Sequence, residues 1–127
     1  MNRLIAQLND SRHGPVLLTA FLSLLMASHW APMVVPSLAV VVLAVVRPEA
    51  ASRAWVWWVM AAVWLVALVA FPDHMEDHVL LFAVWLVALA ICLGGDPAAF
   101  SRAAAWQARV LIGVVFSAAV LWKLWFG

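Results

Sequence analysis

Four stretches of this chain, 13–46, 54–72, 79–95 and 110–122, contain no Asp, Glu, Lys or Arg. At about 1.5 Å of helix per residue, the second and third would each cover roughly the hydrocarbon thickness of one bilayer. Composition agrees: 69% of the residues are apolar and 10% charged, against about half and a quarter in ordinary soluble domains. So few polar side chains would not cover a water-facing exterior. In lipid the backbone must satisfy its own hydrogen bonds, which leaves helices or closed barrels. The runs do not alternate polar and apolar residues as barrel strands do. The sequence therefore predicts an all-α integral membrane protein.

The first stretch is too long for one span and holds Pro32 and Pro36, where an α-helix would lose hydrogen bonds and break. The fourth is too short alone and must borrow residues from about Ala105 onward, Arg109 included. Ahead of it, Gly94-Gly95-Asp96-Pro97 reads as a helix stop, an N-cap and a first-position proline. The last helix is expected to begin near Pro97, run along the surface and then turn inward. Five crossings result, near 14–30, 34–46, 54–71, 74–93 and 105–126, within a helical membrane domain 13–127. Residues 1–12, with Arg3, Leu4, Ile5 and Leu8, read as an interfacial amphipathic segment, not a cleavable signal.

Orientation tests the count. With five crossings Arg3, Arg12, Arg47, Arg53, Arg102 and Arg109 share one side, and Lys123 alone is opposite. The positive-inside rule then makes the N-terminus cytoplasmic and the C-terminus exoplasmic. A single span over 13–46 would split the cations almost evenly. Trp55, Trp57, Trp58 and Trp106 fall at inner helix ends, and Trp30, Trp122 and Trp125 at outer ones, as indoles prefer. Trp64 and Trp85 sit mid-span as packing residues. They belong to a near-repeat, Ala-Val-Trp-Leu-Val-Ala-Leu at 62–68 and 83–89, which the biased alphabet explains without duplication.

Chemistry-bearing residues collect on the outer side: His29, His74, His78, Asp73, Glu76, Asp77 and Lys123. A solvated helix cap accounts for 72–78, since proline and acids suit a first turn. A helix would also put His74 and His78 on one face, as part of a metal site, but two ligands fall short of the three or more such sites use. Lys123 either snorkels beside Trp122 and Trp125 or, held in apolar surroundings, loses its proton readily and serves as a base. Lone Cys92 reads as a packing residue. A net charge of +1 gives no sign of a nucleic-acid partner.

Asp-His-Val-Leu-Leu-Phe at 77–82 resembles the Asn-His-x-Tyr-Leu segment that opens a membrane helix in vitamin K-dependent γ-glutamyl carboxylases. Trp106, Arg109 and Phe116-Ser117-Ala118-Ala119-Val120-Leu121-Trp122-Lys123-Leu124 are similar to a later helix of the same domain. This is the horizontally transferred transmembrane (HTTM) domain, and the similarity covers the second half of the chain. It implies a catalytic role for Lys123 as the base and for His78 in support. His74, Asp77, His29 and Trp122 are the candidate ligand-binding residues around them. The departures are Asp77 in place of Asn, Val79-Leu80 in place of a polar–aromatic pair, and a chain that stops soon after the lysine. A partial domain, the N-terminal half, without peptide carboxylation of its own is therefore expected.

The expected function is binding of a lipid or quinone-like molecule at the exoplasmic face of a cell membrane, the bacterial plasma membrane by type. Whether it is an enzyme stays open, and no cofactor is assigned. Two alternatives stand beside it: a non-enzymatic small subunit packed on a larger membrane protein partner, and a metal or redox accessory protein.

Overall fold

A computed structural model describes residues 2–28, 30–74 and 77–126, without the side chains of His74, Asp77, His78 and Ser101. Among the described residues there are seven α-helices and no strand: α1 (Asn2–Asn9), α2 (His13–Ala27), α3 (Ala31–Val46), α4 (Pro48–Ala51), α5 (Ala54–Ala70), α6 (Asp77–Gly94) and α7 (Phe100–Phe126). A 3-10 turn, Pro72–His74, precedes α6. Helices α2 and α3 form one antiparallel hairpin, α5 and α6 another, and α7 returns along α6. Arg102–Phe126 is long and apolar enough to cross a membrane, whereas His13–Ala27, Ala31–Val46, Ala54–Ala70 and Val79–Gly94 are shorter apolar helices.

The break between α2 and α3 falls before the prolines, not around them. Pro32 lies at the second helical position, where its missing N–H was never needed. Pro36 is inside α3, so α3 starts earlier than expected. At the end of α2, Ser28 donates its hydroxyl to the Leu25 carbonyl at 2.7 Å. The last helix also departs from expectation. It is one continuous helix from Phe100, with no separate surface segment. Asp96 shapes the turn before it, its carboxylate accepting the Ala98 N–H at 3.0 Å.

The interior mixes small and mildly polar residues with large apolar ones, Trp57, Trp64, Leu86 and Phe100 among them. Ala20, Ala44, Ala61, Ala83 and Ala90 are buried, and so are Ser23 and Ser37, whose hydroxyls meet at 2.9 Å between α2 and α3. Large apolar side chains such as Leu25, Val35, Val69 and Leu124 lie outside. Close helix approach through alanine and serine explains the first half of that pattern.

Helix α1 lies against the start of α2. A Cβ on Gly14 would come within 2.5 Å of the Leu8 carbonyl oxygen, so only glycine permits this approach. Arg3 donates to the Val46 carbonyl and Arg12 to the Ser52 carbonyl, each at 3.5 Å. Both serve carbonyls at or just beyond a helix C-terminus, where cations are favoured. Helix α1 turns Gln7 inward and leaves Ile5 and Leu8 exposed. Trp57 differs from an interfacial tryptophan: it is fully buried, and its indole donates to the Ala51 carbonyl at 2.7 Å.

Candidate functional site

An apolar groove of about 650 Å³ lies between α2, α6 and α7. Its size lies within the range of about 300–1,000 Å³ typical of small-molecule sites. Helix α7 packs principally on α6, so a gap is left between it and α2. Alanines 104, 105 and 108 keep the α7 wall low at one end, and Leu111, Ile112, Val115 and Phe116 line it farther along. Leu18, Leu22 and Met26 form the α2 wall, and Leu81, Phe82 and Trp85 come from α6.

Two contacts fix the α6 side. Phe82 meets the buried Trp64 ring edge-on, with centroids 5.3 Å apart. Trp85 donates its indole N–H to the Thr19 hydroxyl at 3.0 Å, and that hydroxyl donates to the Pro15 carbonyl at 2.7 Å. The polar atoms of the wall thus satisfy one another. What remains facing the groove suits hydrocarbon: a ligand there gains burial, not hydrogen bonds.

Of the candidate residues, Lys123 and Trp122 lie apart from this lining. Lys123 is exposed in the last turn of α7, with no ion pair among the described residues. Trp122 is exposed and stacks on Phe126, centroids 4.2 Å apart. Asp77 and His78 open α6, while His74 ends the 3-10 turn. The two histidines therefore belong to different described elements, and residues 75 and 76 between them lie outside the described residues. Their side chains, and His29 and Glu76 altogether, lie outside the described residues. Among the described residues no cluster of three or more His, Cys, Asp or Glu could hold a metal ion.

Register relates His78 to Lys123. Gln107 of α7 lies beside the Cys92 side chain of α6, its Oε1 buried without a partner among the described residues. Counting fourteen residues, about 21 Å, back from Cys92 and forward from Gln107 sets His78 level with Leu121. Lys123 is then within one helical turn of that level. The groove lining ends at Leu81 on α6 and Phe116 on α7, so level is what the backbone gives and not contact.

Sequence reasoning missed the groove. Its one signal was the run of alanines at 103–105 with Ala108, positions where a packed helix face carries little bulk. No family model, no curated protein and no solved structure matches this chain.

Proposed function

We propose that this chain is a five-crossing membrane protein whose groove between α2, α6 and α7 takes up a lipid or quinone-like molecule by its hydrocarbon portion. The observation that carries the proposal is the groove itself: large, apolar, and with its only hydroxyl and indole already paired. The membrane setting is supported by an exterior rich in exposed leucine, valine and tryptophan and by close helix contacts through alanine and serine, both expected where lipid is the solvent. Charge supports the orientation. Trp30 and Phe71 stack at 5.1 Å at one end of the bundle. At the other end, Gly94 approaches Ala54 beside Arg53, and α1 and α4 bring Arg3, Arg12 and Arg47. That end is cytoplasmic on the positive-inside rule.

The HTTM resemblance belongs to the same proposal. Lys123 as a base and His78 in support would act on a head group above the outer mouth, one helical turn before Leu81 and Phe82 and two after Phe116. Peptide carboxylation by these 127 residues is not part of it. The subunit alternative draws on α7, whose outer half carries Gly113 with open space around it and exposed Leu121 and Leu124; small residues on an apolar helix suit another helix.

The test is solvent extraction of purified protein followed by mass analysis, on the wild type and on Ala108→Trp. A bound lipid or quinone near one per chain in the wild type, and several-fold less in the variant, is expected. Equal amounts of every membrane lipid in both proteins would sink the proposal.

A further inference from the structure

We propose that the cytoplasmic mouth of the groove binds the headgroup of an anionic phospholipid, one acyl chain of which lies between α2, α6 and α7. This rests on the groove and orientation proposed above, and adds what the outer residues do not: a choice of headgroup at the opposite end.

Arg102, Ala105, Arg109 and Ile112 are spaced three, four and three residues apart, which sets them on one stripe of α7. Ala105 and Ile112 of that stripe line the groove, so the two arginines flank its edge at the end where the alanines leave most room. Both are exposed. Neither makes an ion pair or a side-chain hydrogen bond among the described residues, whereas Arg3 and Arg12 are already engaged with backbone carbonyls.

Carboxylates nearby do not compete. Asp10 accepts the Arg12 and His13 N–H groups, and Asp96 accepts the N–H of Ala98 in the turn before α7. Helix α7 has 27 residues, about 40 Å, against a hydrocarbon core of about 30 Å. The excess puts its first two turns, with Arg102, in the interfacial zone, and the Arg109 stem reaches back to the phosphate level from the third turn. Guanidinium matches phosphate in a bidentate fork and keeps its charge. The inner leaflet is also where anionic lipid attracts basic residues. A zwitterionic headgroup offers the same phosphate with its charge cancelled, so the site should discriminate.

The full chain is reconstituted in vesicles of phosphatidylcholine carrying a trace of phosphatidylglycerol or phosphatidylcholine with a photoreactive acyl chain. Labelled peptides are then mapped. Phosphatidylglycerol should label 81–85 and 108–116 several-fold more than phosphatidylcholine, and R102Q with R109Q should remove that preference by roughly fivefold or more. Ala108→Trp, or Leu22→Trp from the opposite wall should the first variant misfold, should suppress labelling by both probes. Equal labelling by both lipids in the wild type, or a preference that survives R102Q with R109Q, overturns the headgroup proposal while leaving the groove standing if the tryptophan variants still block it. Labelling indifferent to the tryptophans overturns both. Displacement of the probe by soluble glycerol phosphate would make this a free-phosphate site and also overturn the proposal.

Discussion

Single residues in this fold do their work where polarity meets close packing. Ser23 and Ser37 are buried completely and bond to each other at 2.9 Å; either hydroxyl alone would be a desolvated group without that partner. Ser23→Ala and Ser37→Ala should each destabilise by about 1 kcal/mol, and the double variant by less than their sum, with a coupling of about 0.6–1.7 kcal/mol. Reversible unfolding in mixed micelles reads all three; strict additivity would show that the bond contributes nothing. Gln7 and Trp64 show the opposite situation. Both are buried, and the Gln7 amide and the Trp64 indole nitrogen have no partner among the described residues. Neither is explained by packing alone.

At the scale of elements, the start of α2 shows how a charge sets a helix boundary. The Asp10 carboxylate accepts the His13 and Arg12 N–H groups at 2.9 and 2.8 Å, and these bonds, His13 first, hold its pKa below the ordinary 3.8. A depressed folded pKa adds stability above the unfolded value, and that stability is lost as the pH falls through the folded one. Thermal unfolding should therefore show a small acid-side loss beginning below about pH 4, absent in Asp10→Asn. It stays small because the side chain is 46% exposed and solvent screens it. The same pH profile in both proteins would refute the assignment. Two elements with a shared heptapeptide make a different point. In α5 it buries Trp64 against Phe82, and in α6 it sends Trp85 to Thr19 beside the groove. Identical local sequence has two roles because its neighbours differ.

For the whole molecule the deciding property is the sidedness of charge. With Cys92→Ala removing the native thiol, single cysteines at Glu49 and Asp73, both exposed positions, should react with a membrane-impermeant reagent from opposite sides of the membrane. Reaction of both from one side would end the five-crossing proposal, and with it the cytoplasmic placement of the groove's basic mouth. Glu49 is the better cytoplasmic probe than neighbouring Ser52, which is buried and donates its hydroxyl to Pro48.

The helices were legible in the sequence because uncharged length, proline and glycine act locally: α6 ends at Gly94, and a helix spans most of each uncharged run. The candidate residues at 72–78 and Lys123 were legible for the same reason, as rare polar side chains in an apolar chain. Local rules misjudged where α2 and α3 part, since a proline in the first turn of a helix, as Pro32 is, costs nothing. The groove was beyond them altogether. It exists because α7 packs on α6 and stands off from α2, and that distance depends on small side chains from three helices far apart in the chain. Sequence determined which residues form helices and which side chains carry charge; only tertiary packing decided which faces meet, and so where a cavity remains.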